Sequence, residues 1–237
     1  MVRGDMTKIT KSAMSRRALL AGVASASLTG CASLPLRTAR PSPEPAPARD
    51  YALMYGPLPG EQFPIPAVDL ARVNPRFYRR RVPYQSAERP GTIVVDTPNF
   101  YLYLVDENGT AMRYGVGLGR AGFEWAGRAN IGWKQKWPKW TPPKEMIDRQ
   151  PELEQWSAAN GGMPPGLTNP LGSRALYIFQ DGQDTLYRIH GTPEVHTIGR
   201  AVSSGCVRMI NHDVIDLYDR VGSGTPILVR PGGAANV

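Results

Sequence analysis

The stretch Tyr187-Arg188-Ile189-His190-Gly191-Thr192, followed after a connection by Ser203-Ser204-Gly205-Cys206-Val207-Arg208-Met209, holds the chemistry of this chain. Tyr187–Ile189 has the residue types of a strand, and His190 ends it just before Gly191. Cys206 lies sixteen positions further on, and a connection of that length can fold back to bring imidazole and thiol together. A free thiol is only about a few per cent ionised near neutral pH, and a neighbouring histidine raises its nucleophilicity. Gly205 beside the cysteine lets backbone N–H groups approach a reacting carbonyl, as an oxyanion hole requires. Cys206 also suits a buried small hydrophobe and His190 a surface histidine, and the two residue types alone do not separate these readings.

Outward from this stretch the pattern is mostly strand. Thr92–Asp96 and Phe100–Val105 are β-branched or aromatic runs across a Thr97-Pro98-Asn99 turn, and so read as a hairpin. Asp106-Glu107-Asn108-Gly109 marks a second turn before a strand over 111–117. Residues 175–180 and 185–189 pair across Asp181-Gly182-Gln183-Asp184. After the cysteine, Asn211 can cap a helix in which Val214, Ile215, Leu217, Tyr218 and Val221 recur at helical spacing. Gly222 and Gly224 end it before a closing strand over 225–229. Many strands and one amphipathic helix predict a mainly β domain.

Residues 119–173 read instead as a long region without periodicity, rich in Gly, Pro and Trp, and such loops are usually functional. Trp133, Trp137 and Trp140 within it either pack its underside or line a groove for a glycan or peptide. His196 falls in a loop and reads as solvent-exposed, and His212 as a polar residue of the first helical turn. Three histidines and no acidic cluster at ligand spacing predict no metal, and Gly117-Leu118-Gly119 lacks the following helix of a phosphate loop.

The N-terminal part reads as a leader and a tether. Arg3, Lys8, Lys11, Arg16 and Arg17 precede the short apolar run 18–28, and the paired arginines suggest twin-arginine export. Leu28-Thr29-Gly30-Cys31 has the form of a lipobox, with Cys31 lipidated as the mature N-terminus. The alternative is a plain signal peptide cleaved near Ala32 or Ser33. Pro35–Pro47 carries five prolines at near-alternate spacing and reads as an extended tether, within a segment spanning 31–50. Residues 51–90 read as an extension wrapping the main domain, with a short helix near Val68–Val73.

The formal charge of +8 invites a nucleic-acid reading. The leader holds five of the basic residues and one acid, so the remainder carries +4. Arg79-Arg80-Arg81 is then the one basic cluster, and a nucleic-acid partner is not expected. With only two cysteines the chain excludes a disulfide-stapled scaffold, and with Cys31 lipidated Cys206 has no partner. An unpaired thiol in an oxidising compartment is a liability unless it is used.

The His-Gly-Thr segment followed by Ser-Ser-Gly-Cys-Val-Arg-Met resembles the signature of the L,D-transpeptidases, the YkuD-type catalytic domain, and within them the exported Gram-negative branch of ErfK and YbiS. Trp140-Thr141-Pro142-Pro143, Asn169-Pro170-Leu171-Gly172, Thr197-Ile198-Gly199 and the 211–221 helix also resemble segments of that branch. The resemblance covers about residues 91–230. It implies a β-sandwich with one amphipathic helix after the cysteine and a long substrate loop. It further implies that Cys206 attacks the L-centre of diaminopimelate in a peptidoglycan stem peptide, releasing D-alanine and leaving a thioester that an amine resolves. His190 would be general base and acid, and the Gly191 carbonyl would orient it. Backbone N–H groups of Gly205 and Cys206, with Ser204, would form the oxyanion hole. Arg208, Ser203, Thr192 and Trp140 are the candidate substrate contacts, with no cofactor. Many members carry histidine where this chain has Ser204, so no role of a second imidazole transfers. The acceptor is another stem peptide or, alternatively, an outer-membrane protein; water as acceptor would make a carboxypeptidase. A non-catalytic wall-binding lipoprotein is the reading from a different class. The implied location is the periplasm, with a lipid anchor at Cys31.

Overall fold

Runs of β-branched and aromatic residues separated by Gly-containing turns build one large sheet, which encloses a common apolar core. The computed structural model describes residues 50–119, 126–201 and 206–230. The leader, Cys31 and almost all of the tether lie outside the described residues, as do Ser203, Ser204 and Gly205. In chain order the described elements are α1 (Tyr51–Met54), β1 (Arg80–Pro83), β2 (Ile93–Asp96), β3 (Tyr101–Val105), β4 (Thr110–Gly115), β5 (Gly117–Leu118) and β6 (Gly127–Lys136). They continue with α2 (Lys144–Arg149), β7 (Arg174–Gln180), β8 (Gln183–Thr192), β9 (Val207–Ile210), α3 (Asn211–Arg220) and β10 (Pro226–Arg230). The strands form a ten-stranded sheet in the order β1-β4-β3-β2-β10-β6-β7-β8-β9-β5. Leu102 and Tyr114 from one part of this sheet share a core with Leu176, Ile189 and Met209 from the other. The domain is mainly β, as expected.

Two hairpins follow directly from their turn residues. Asn108-Gly109 between β3 and β4, and Asp181-Gly182 between β7 and β8, have positive φ at both positions (60° and 68°, 52° and 78°). Asp181-Gly182, between the paired Gln180 and Gln183, is the two-residue turn whose twist matches that of the flanking strands, while Asn108-Gly109 end a longer turn beyond the Val105–Ala111 pair; Asn, Asp and Gly adopt positive φ at least cost. The hairpin read over 92–105 forms as β2 against β3, with Ile93 opposite Leu104. The closing strand β10 inserts between β2, to which it is parallel, and β6, to which it is antiparallel.

Three expectations are corrected. Residues 119–173 are not one irregular loop: β6 is a ten-residue strand paired with β7 and β10, and α2 with a following 3-10 turn, Pro151–Trp156, adds further structure. Its alternation is confined to buried Ala129 and Ile131, because the register shifts between Ile131 and Trp133 and exposes Gly132 and Trp133 together. Asn211 does not cap α3. Ile210 occupies the cap position, and the Asn211 carboxamide bonds elsewhere. The apolar face of α3 is as read, with Val214 and Leu217 fully buried. The short helix read near Val68–Val73 is a single 3-10 turn, Leu70–Arg72.

The segment 51–80 packs through a second cluster in which Tyr55, Val73, Phe77 and Tyr78 meet Ile198 and Ile210. The Tyr55 hydroxyl donates to Asp213 Oδ2 (3.2 Å) and accepts from the Arg79 N–H (2.7 Å). Arg79 also reaches Asp216 at 3.0 Å. Burial pushes the Asp213 carboxyl up to about 7 against the pull of Arg79 and the Tyr55 hydrogen bond.

Candidate active site

Strands β8 and β9 run parallel, with Ile189 opposite Val207, His190 opposite Arg208, Gly191 opposite Met209 and Thr192 opposite Ile210. Side chains alternate along a strand, so this register sorts the residues by parity. Ile189, Val207 and Met209 enter the main core. Arg188, His190, Cys206 and Arg208 therefore share the opposite face, and Ile210 at its far end packs under the 51–80 segment. Cys206, one residue ahead of β9, lies beside the backbone N–H of Arg188. The fold thus brings the two signature side chains onto adjacent strands and one face.

His190 is buried, 4% exposed, and its Nδ1 lies 2.6 Å from the Gly191 carbonyl oxygen. A carbonyl only accepts, so Nδ1 carries the proton and Nε2 is left with its lone pair. Burial lowers the imidazole to about 4; the Gly191 carbonyl opposes this, and the charges of Arg208 and Arg188 add to it. Cys206 is a free, half-buried thiol. Burial pushes it up, against the Arg188 N–H and the same two guanidinium charges. Both shifts favour the uncharged forms, so the resting pair is thiol and neutral imidazole.

The two arginines are held by acids. Arg188 forms a two-pronged pair with Asp184 (2.7 Å on each arm) and lies 4.3 Å over the Tyr177 ring. Arg208 pairs with Glu194 at 2.9 Å. Sequence reasoning gave Arg188 and Glu194 no part, although Arg188, two residues before His190 on a strand, has to share its face.

Thr192 is buried and accepts from the Glu194 N–H (3.1 Å) through its hydroxyl. It lines a cavity of about 250 Å³, with Ile65, Val68, Val195, Ile210 and Asn211, where the 51–80 segment meets the ends of β8 and β9. Trp140 is half-buried and makes a two-way backbone bridge to Met163 (3.0 and 2.7 Å). Trp137 is buried, and its indole N–H donates to Glu61 (2.9 Å), which settles it as packing. Trp133 is 43% exposed and stacks on Tyr177. His196 is exposed, as read, beside Arg72. His212 is more than a polar helix residue: it is buried, with Nε2 2.6 Å from the Gly56 carbonyl. No group of three potential metal ligands occurs among the described residues.

Asn211 is the residue whose place sequence reasoning missed most. Its Oδ1 accepts from the Ser173 N–H (2.9 Å) and the Ser173 hydroxyl (3.2 Å), both buried. A Cβ on Gly191 or on Gly172 would overlap that same Oδ1. No local pattern signals this, because Ser173 is 38 residues away in the chain.

The model of the L,D-transpeptidase catalytic domain, YkuD, matches residues 90–229, more than half of the chain. The chain is 34% identical over 146 residues to the probable L,D-transpeptidase ErfK/SrfK of Escherichia coli K12, covering 60% of this chain and 44% of that protein. It is 33% identical over 143 residues to the probable L,D-transpeptidase YbiS of the same organism, covering 57% and 43%. The chain thus spans less than half the length of these curated relatives. A solved structure described as a probable carnitine operon oxidoreductase, caia, from Brucella melitensis is 47% identical, over 65% of this chain and 93% of that one, at a TM-score of 0.47. The His-Gly-Thr and Ser-Ser-Gly-Cys segments fall inside the matched region, and the chain belongs to the L,D-transpeptidase catalytic domain family.

Proposed function

We propose that the protein is a peptidoglycan L,D-transpeptidase in which Cys206 is the nucleophile. His190 Nε2 takes the thiol proton as sulfur attacks the L-centre carbonyl of diaminopimelate in a tetrapeptide stem. The C–N bond to D-alanine breaks, the imidazolium returns the proton to the leaving amine, and a thioester remains. An acceptor amine then attacks, His190 takes its proton, and the thiolate leaves and is reprotonated. The N–H groups of Gly205 and Cys206, with Ser204, hold the negative oxygen at both stages.

The observation that carries this reading is the shared face of His190 and Cys206, with Gly191 fixing the Nδ1–H tautomer. The electrostatics fit an anionic substrate. Burial, and after it the charges of Arg208 and Arg188, disfavour an imidazolium, and a stem-peptide carboxylate beside the two arginines would offset their charge as His190 accepts a proton. Arg208, Ser203, Thr192 and Trp140 are the proposed substrate contacts. Export to the periplasm through residues 1–30, with a lipid on Cys31, completes the proposal.

The test is incubation of purified protein with a disaccharide-tetrapeptide. Loss of D-alanine and a cross-linked dimer are expected, and Cys206→Ala loses both. A Cys206→Ala protein that still turns over overturns the nucleophile assignment. Release of D-alanine without dimer identifies water as the acceptor, and an outer-membrane protein joined to the wall fragment identifies a protein acceptor.

A further inference from the structure

We propose that Asn211 is a positioning residue, which acts on His190 by wedging the Gly191 peptide against the strand. This rests on the reading of His190 as the base toward Cys206. Among the described residues the buried His190 ring makes one hydrogen bond, Nδ1 to the Gly191 carbonyl at 2.6 Å. That carbonyl keeps its direction only if its peptide plane cannot turn, and a glycine is the residue least able to hold a plane by itself.

Asn211 supplies the restraint. Its Oδ1 is pinned by two donors of Ser173, at 2.9 and 3.2 Å, and Asn211 and Ser173 are both buried. That oxygen lies so close to the backbone that a Cβ on Gly191 would overlap it. Gly172, at φ +60°, closes the other side: a Cβ there would meet both Asn211 Oδ1 and the Gly191 backbone. Ser173, Asn211 and Gly172 thus form a rigid block from two distant parts of the chain, with the Gly191 peptide seated against it. Asn211 opens α3, whose Val214 also closes on the Gly191 position, at 3.2 Å from a Cβ there. The chain therefore uses the first residue of α3 to set a histidine on β8.

Loss of the Asn211 carboxamide frees the Gly191 carbonyl and leaves His190 as a mixture of tautomers and orientations. Misplacement on this scale lowers the rate of a proton transfer by about tenfold or more while leaving substrate contacts in place. The effect is expected in kcat rather than KM.

The experiment reads the thiol without needing the wall substrate. Alkylation of Cys206 by iodoacetamide is followed on the full chain by peptide mass spectrometry, across the neutral and alkaline range, for wild type, His190→Ala, Asn211→Ala, Asn211→Asp and Ser173→Ala. Asn211→Ala is expected to slow alkylation near neutral pH about as much as His190→Ala, and to shift its pH profile to the alkaline side. Asn211→Asp, which keeps the acceptor oxygen, restores the rate; Ser173→Ala, which removes one of the two pins, falls between. The ring ¹H–¹⁵N correlation of His190 shows the Nδ1–H tautomer in wild type and a mixture in Asn211→Ala. Wild-type rate and tautomer in Asn211→Ala and Ser173→Ala, with His190→Ala slowed, overturn the positioning role. If Asn211→Ala does not fold, the same outcome in Ser173→Ala alone overturns it. A His190→Ala protein that alkylates like wild type overturns the underlying acid–base reading as well.

Discussion

Glu61 grips Arg174 through both carboxylate oxygens, Nη2 to Oε1 at 2.6 Å and Nη1 to Oε2 at 2.9 Å, where Arg174 is only 3% exposed. The same carboxylate accepts from the Trp137 indole. Arg174 opens β7, the strand that pairs with β8, so this ion pair fastens the N-terminal segment to the strand beside His190. Its value is asymmetric, because removing one partner leaves a guanidinium buried without its counter-charge. Glu61→Gln is expected to lower unfolding stability by about 3–5 kcal/mol in urea titrations. A loss within about 1 kcal/mol, the range of an exposed pair, would contradict this placement.

The pH dependence of stability is expected to contain two opposing slopes. Asp213 is raised on folding to about 7, so its contribution is complete below its ordinary value of 3.8 and is lost as pH rises through about 7. His190 is lowered on folding to about 4, so its contribution is complete above 6.5 and is lost as pH falls toward 4. His212, also lowered by burial, adds to the second slope. The Asp213 and His190 slopes, each about 1.4 kcal/mol per pH unit, offset one another between about pH 4 and 6.5, so the His212 contribution leaves wild-type stability rising with pH there. Asp213→Asn should steepen that rise, and His190→Ala should flatten it. Parallel profiles for the two variants would rule this out.

Gly191→Ala tests the crowding at the histidine's support. Its methyl group would overlap Asn211 Oδ1, with Val214 and the Ser173 nitrogen closing the other directions. Overpacking of this kind costs about 1–3 kcal/mol, and the displaced carbonyl takes His190 with it. The variant is expected to fold with a lowered melting temperature and to lose most activity toward a tetrapeptide stem. Full activity would show that the carbonyl does not orient the ring.

A carbapenem presents a strained carbonyl to the same thiol. Under the thioester reading it adds covalently to Cys206, visible as a mass increase on the peptide holding that residue. The adduct should form about a hundredfold more slowly in His190→Ala. Active protein that forms no adduct would count against covalent catalysis by Cys206.

Legibility in the sequence followed the range of the forces involved. The turns at Asn108-Gly109 and Asp181-Gly182 were readable because backbone sterics act within two residues. The β2–β3 hairpin was readable for a similar reason, since its β-branched and aromatic runs and the turn between them are local. Strand β6 was hidden because its alternation stops at the shift after Ile131, leaving only Ala129 and Ile131 as buried positions. His190 and Cys206 stood out through the resemblance of the His-Gly-Thr and Ser-Ser-Gly-Cys segments, because the two residue types alone fit a buried thiol and a surface histidine equally well. Asn211 looked like a helix cap, because a carboxamide that bonds 38 residues away is indistinguishable in sequence from one that bonds its own helix. Glu61, 113 residues from Arg174, was invisible for the same reason.

The parallel pairing of β8 with β9 separates two kinds of sequence change. His190 and Arg208 are placed by their own strands, so they keep their positions when a residue is gained or lost in the connection outside Glu194, which holds Arg208, and Ile198, which packs in the second cluster. A slip of β9 by a single residue against β8 is another matter: it turns the sulfur of Cys206 into the apolar interior and sets Val207 in its place. The face shared by His190 and Cys206 therefore depends more on the phase of the two strands than on the length of the chain between them.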